Sequence, residues 1–186
     1  MLFYWLDAHE SAFRRDGKLY LTGRVRTPDS SSTESCCLQI VNVPHVLYFL
    51  PKNNFEISEV YQEIDEIFDA RKIKVFKSRK VTKKNFFGGE NVPQEAEYLR
   101  VEYDAQYPVL DRYLKGKSFS RIFNLGQDVF EFFCLERQIK GPSWLSIAKY
   151  KKQEGAPASW CKTEYITDDY KSVSARDTFF VHFMDH

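Results

Sequence analysis

Apolar residues along this chain change period several times, and each change marks an element. Over the first 45 residues they alternate with polar ones, so "FYWLDAHE" (3–10), "KLYLTGRV" (18–25) and "SCCLQIVNV" (35–43) read as strands. Asp16-Gly17 suits a hairpin turn between the first two, and "TPDSSSTES" (27–35) is a turn-rich loop before the third. "VLYFL" (46–50) is a short buried strand closed by Pro51. Val60, Ile64, Ile67 and Phe68 then share one face of a helix that Ser58 would cap. "KIKVFKS" (72–78) and "AEYLRVEY" (96–103) return to period two on either side of a Gly-Gly loop. A second helix is expected from about Asn124, with Gln127 three residues on as a capping-box partner. It should stop at Gly141-Pro142, where a residue without Cβ enters the left-handed region cheaply and a proline forbids continuation. A further strand opens at Trp144.

The order from Val46 to Tyr150 is thus strand, helix, strand, strand, helix, strand. That is the split βαβ arrangement shared by ferredoxin-like and RNA-recognition domains. The expected class is α+β: a β-rich segment over residues 1–45, a ferredoxin-like or RNA-recognition-like βαββαβ unit over 46–152, and a return segment over 153–176.

Composition narrows the classes. With 43% apolar and 16% aromatic residues among 186, the chain can bury a sizeable core and is not disordered. A formal net charge of +1 says nothing about partners. Cys36, Cys37, Cys134 and Cys161 form no CxxC pair or even framework, which points to a reduced, intracellular protein. No apolar run approaches the ~20 residues that span a bilayer, so no membrane role is expected.

Catalytic signatures are weak. No GxSxG elbow or phosphate-cradling loop occurs; "FFGGEN" (86–91) lacks the Lys-Ser/Thr that would follow in a P-loop. His182 and His186 flank Asp185 at i,i+4 spacing, but "TFFVHFMDH" (178–186) has strand character, which would separate the side chains. Cys161 beside Lys162 could have a lowered thiol pKa, but a packed cysteine next to Trp160 is the simpler reading. The carboxylates of "EISEVYQEIDEIFD" (56–69) fall on the polar side of an amphipathic helix.

One stretch suggests binding instead. "RKIKVFKSRKVTKKNFF" (71–87) carries cations with no acidic residue among them and ends in two phenylalanines. Lys72, Lys74, Lys77, Arg79, Lys80, Lys83 and Lys84 could neutralise phosphates, and Phe86 and Phe87 could stack on bases of a single strand. Alternation implies that Ile73 and Val75 face the core, so about half of the cations project outward. The bland alternative is charge balance against the acidic helix just before. "EYLRVEYD" (97–104) lacks the aromatic signature that RNA-recognition domains carry on their third strand.

Several segments together resemble a known family. They are "FYWLDAHE" (3–10), "LYFLP" (47–51), "EYLRVEY" (97–103), "GKSFSRIF" (116–123), "IKGPSWL" (139–145) and "SWCK" (159–162). In order and spacing they resemble the N-terminal domain of alpha-type catalytic subunits of B-family replicative DNA polymerases. The resemblance implies a nuclear parent enzyme that uses Mg²⁺ and extends RNA primers. It also implies contacts with template DNA, the RNA/DNA primer and the remaining polymerase domains. Primase and an accessory subunit would be met through parts outside this chain. Residues 177–186 would then open an exonuclease-like domain, without the Asp-x-Glu metal pair of exonuclease-active relatives. The Ser-Leu-Tyr-Pro-Ser and Asp-Thr-Asp-Ser polymerase motifs are absent, so this segment is expected to hold no catalytic residue. The alternative is a self-standing protein-interaction module with no nucleic-acid role.

Overall fold

The computed structural model describes residues 1–10, 17–26, 32–85, 92–107, 110–111 and 113–176. Chain order begins with β1 (Leu2–Glu10), β2 (Leu19–Arg26), β3 (Glu34–Ile40) and β4 (Pro44–Pro51). It continues with α1 (Ile57–Ala70), β5 (Val75–Lys84), β6 (Glu95–Asp104) and β7 (Phe119–Phe123). Last come α2 (Val129–Arg137), β8 (Trp144–Ile147), β9 (Lys151–Lys152), β10 (Thr163–Thr167) and β11 (Val173–Ala175). The class is α+β. Two units result, one from residues 1–43 with 128–186, the other from residues 44–127. Among the described residues no helix is long and apolar enough to cross a membrane.

The first unit is a seven-stranded sheet in the order β11-β8-β1-β2-β3-β10-β9. Its opening strands alternate as expected, burying Phe3, Trp5, Leu19, Leu21 and Leu38. The register slips between Trp5 and Asp7, which leaves Leu6 exposed. Opposite that irregularity Gly23 pairs with Trp5. A Cβ there would lie 1.9 Å from the Tyr4 carbonyl oxygen, so only glycine fits. Residues far along the chain complete the sheet. β8 pairs with β1, β11 with β8, and β10 runs parallel to β3. The stretch read as a return segment is therefore sheet.

The second unit has four antiparallel strands in the order β5-β6-β4-β7. β6 lies between the two strands that α1 connects, which makes a split β-α-β. Leu47 and Phe49 of β4, with Leu99, Val101 and Tyr103 of β6, form one core with Val60, Ile64 and Phe68 of α1. That fixes which face of the sheet the helix covers.

The expected βαββαβ unit is corrected in its second half. The fourth strand is β7, from "SFSRIF", and no helix precedes it among the described residues after β6. The second helix and the strand from Trp144 lie in the other unit. There the Phe130 ring meets Trp5 edge-on at 5.8 Å, and the Arg137 guanidinium donates to the Val173 carbonyl at 2.6 Å. Pairing of β8 with β1 is the physical reason: its ladder is filled by a strand more than 130 residues away, which no local pattern announces.

Helix ends differ in the same way. α1 starts after Glu56, whose N–H donates to the Glu59 carboxylate at 2.8 Å; Ser58 lies inside the helix. α2 starts after Asp128, whose carboxylate accepts from the Glu131 N–H at 2.6 Å, and not at Asn124 with Gln127. It closes at Gln138, which takes the left-handed conformation expected of Gly141.

Candidate nucleic-acid interface

The basic run folds into one strand more completely than its periodicity suggests. β5 covers Val75 to Lys84 and is an edge strand. Among the described residues its neighbour is β6, with Lys80 opposite Leu99, Arg79 opposite Arg100 and Lys83 opposite Ala96. Directly paired residues point to the same side of a sheet, and successive residues to opposite sides. Lys80 and Lys84 therefore share the side that α1 covers with Leu99, whereas Lys77, Arg79 and Lys83 lie on the opposite side of the sheet.

The two sets differ electrostatically. On the helix side Lys80 pairs with Glu97 at 2.7 Å and Lys84 reaches Glu95 at 4.0 Å. The Glu97 carboxylate raises the Lys80 pKa through its hydrogen bond and its charge. On the other side Lys77, Arg79 and Lys83 are exposed, and none has a carboxylate partner among the described residues. The Lys83 ammonium sits 5.2 Å from the centre of the Tyr48 ring.

Cross-strand pairing sets aromatic residues beside these cations. Arg79, Arg100, Tyr48 and Phe123 form a row from β5 through β6 and β4 to β7. Tyr98 lies on the same face, edge-on to Phe123 at 5.6 Å. Arg121 stacks its guanidinium 5.9 Å from the Phe123 ring. Exposure falls towards the middle. Lys77, Arg79, Lys83 and Arg121 are open to solvent, Tyr48 and Phe123 are half-buried, and Tyr98, Arg100 and Glu102 are buried. Arg100 and Glu102 form a buried ion pair. Burial works against the Arg100 charge, but the Tyr48 hydroxyl at 3.3 Å and the Glu102 carboxylate outweigh it and hold the guanidinium pKa above its usual value.

The candidates of the basic run thus separate. Lys77, Arg79 and Lys83 come together on one face, while Lys80 and Lys84 are balanced on the other. Lys72 and Lys74 precede the strand in the turn after α1, Lys72 at φ +56° and Lys74 5.5 Å from the Phe76 ring. Phe86, Phe87, His182, Asp185 and His186 lie outside the described residues. Tyr48, Arg121 and Phe123 were not singled out from the sequence. Their signal was parity, since Tyr48 alternates against the core residues Leu47 and Phe49 in "LYFLP". Burial pushes the Cys36 thiol up to about 12 and those of Cys37 and Cys134 up to about 11, which disfavours thiolate chemistry there.

This antiparallel face carries exposed cations at its edges, half-buried aromatic rings beside them and a buried Arg100–Glu102 pair in the middle, a combination of charge and ring surface that suits a single-stranded polyanion with planar bases. Comparison with known proteins identifies relatives in fold and in sequence. The architecture is shared with a family B DNA polymerase from Pyrobaculum calidifontis, with a TM-score of 0.58, 12% identity, 89% of this chain and 19% of that chain covered. In sequence, the chain is similar to DNA polymerase alpha catalytic subunits. It is 38% identical to that of Xenopus laevis over 92% of its own length, 33% to that of Drosophila melanogaster over 92%, and 38% to that of Mus musculus over 88%. It spans only 12–13% of the length of these relatives. No family profile matches.

Proposed function

We propose that this chain is a non-catalytic segment of a DNA polymerase alpha catalytic subunit, acting in replication in the nucleus as scaffold and nucleic-acid contact. The parent would extend an RNA/DNA primer on template DNA, meeting primase and the accessory subunit through other parts of its chain. Magnesium would serve the parent through residues elsewhere in its chain; among the described residues no group of three His, Cys, Asp or Glu is placed to hold a metal. Nucleotidyl transfer would need paired carboxylates from elsewhere.

The observation that carries this reading is the two-sidedness of β5. Lys77, Arg79 and Lys83 share a face with Tyr48 and Phe123, while the carboxylates that pair with lysines of that strand are on the reverse side. Phosphates would follow the edge cations and release counterions; bases would meet the half-buried rings. Sequence tolerance is expected, because every base has a π-face.

Binding of a single-stranded oligonucleotide at increasing salt tests it. Three neutralised phosphates give a slope of log K against log salt near −2, at ~0.7 per contact. Replacing Lys77, Arg79 and Lys83 together by Ala should flatten that slope nearly to zero, whereas Lys80→Ala with Lys84→Ala should leave it almost unchanged. Equal effects of the two sets would sink the assignment of a face. Absence of binding by the unaltered chain would favour the protein-interaction module.

A further inference from the structure

The second unit holds a cavity that this contact does not use. It measures about 590 Å³ and lies where β4 ends and α1 has not yet begun. Leu50 and Pro51 form its strand side, Phe55 and Pro93 add apolar walls, and Asn53 and Asn54 stand at its rim. That volume falls within the range of clefts that hold small organic ligands, ~300–1,000 Å³.

Its frame is tied down from two sides. The Lys52 ammonium donates to the carbonyls of Gly116 and Lys117 at 2.9 and 2.8 Å, and its backbone N–H donates to the Ser118 carbonyl at 2.8 Å. Glu63 of α1 accepts from the N–H groups of Lys117 and Ser118 at 2.6 and 2.7 Å. The Phe55 N–H closes a turn onto the Lys52 carbonyl at 3.0 Å. Lys52 is thus occupied as a brace and is not a free cation.

Asn53 and Asn54 are different. Asparagine in a turn commonly bonds back to its own backbone, but neither carboxamide has a hydrogen-bond partner among the described residues. Two idle amides, each with a donor and an acceptor, therefore edge a cavity that Leu50, Pro51, Phe55 and Pro93 line in part. This is the chemistry that reads a nucleobase: a ring face against apolar or aromatic surface, and a base edge against a carboxamide.

Placement adds a second argument. β6 runs antiparallel to both β4 and β5, so the ends at Pro51 and Lys84 emerge at the same edge of the sheet. Two strand spacings, about 10 Å, separate the strands, and Lys84 lies about two residues further along than Pro51. A strand whose phosphates follow Lys77, Arg79 and Lys83 leaves the sheet at this end, within reach of the cavity. Resting on the proposed nucleic-acid contact, we infer that the cavity between Pro51, Phe55 and Pro93 takes one unpaired base of a bound single strand, with Asn53 and Asn54 on the base edge.

The 186-residue chain is titrated with a twelve-nucleotide oligo-dT and with a fully abasic twelve-mer, as wild type and as the Asn53→Ala/Asn54→Ala variant. A second variant, Phe55→Leu, keeps the apolar bulk and removes the ring. Each variant should weaken binding of oligo-dT about five- to tenfold, bind the abasic strand like wild type, and leave the salt slope unchanged. Asn53 and Asn54 are exposed, so the double variant should melt like wild type. Unchanged oligo-dT affinity in both variants, with a normal salt slope, overturns the cavity assignment and leaves the cation contact intact. No binding by wild type overturns both.

Discussion

Two carboxylates hold loops in this protein by accepting several hydrogen bonds each, and their titration should dominate its acid stability. Glu164 is buried and accepts from the Ser159 N–H at 2.7 Å, the Ser159 hydroxyl at 2.6 Å, the Ala158 N–H at 3.1 Å and the Gln39 amide at 3.3 Å. Burial alone would raise its pKa; the hydrogen bonds outweigh burial and lower it. Glu63 behaves alike, with Ser118 as its main partner. A lowered carboxylate contributes stability above its unfolded pKa of about 4.3, and loses it as pH falls through the folded value. Stability should therefore be flat near neutrality and decline below about pH 4.3. Glu164→Gln should cost about 2 kcal/mol at neutral pH, because the amide keeps one acceptor oxygen but turns an NH2 towards the donors that bonded the other, and chemical denaturation across pH 3–7 should show a shallower acid limb. An acid limb identical to wild type would exclude Glu164 as its source. At Gly23 the constraint is steric: Gly23→Ala should destabilise by about 1–3 kcal/mol, as overpacking does, and a wild-type melting temperature would contradict it.

Among the elements, α1 shows how a helix start can be misread. Ser58 suits an N-cap by residue type, but the cap is Glu56, two residues earlier, and Glu59 folds back onto the Glu56 N–H. Glu59→Ala should cost about 1 kcal/mol and Ser58→Ala within about 0.5 kcal/mol of nothing, by the usual worth of a cap; equal losses in urea unfolding would show that the cap was assigned to the wrong residue. β5 carries the opposite lesson. Its period-two pattern was legible, although all five of its cations are exposed and not only the half that alternation implied. Which half could act was not, because Glu95 and Glu97 lie more than ten residues downstream and meet Lys84 and Lys80 only through the β5–β6 register. The parity of Tyr48 was visible in "LYFLP", yet its partnership with Arg79 and Phe123 needed three strand pairings.

As a whole molecule, the chain leaves its first unit after Val43, builds a second from residues 44–127, and returns. The inserted unit uses contacts within a short span, whereas the outer one depends on β8 and β10 to pair β1 and β3. A chain ended at Gln127 should keep β1 and β3 paired only with β2 and leave their other edges open. Limited proteolysis of it is expected to spare a core near residues 44–127; protection of residues 1–43 would refute that dependence. The first three strands, the helix faces and the cation-rich run follow from local alternation, because side-chain period is a property of neighbouring residues. Allocation of α2 and β8 to the outer sheet, and the sorting of cations into paired and open faces, were decided by tertiary pairing. Strand partners are chosen by burial and hydrogen-bond closure across long sequence separation, and no window of neighbouring residues contains both sides of that choice.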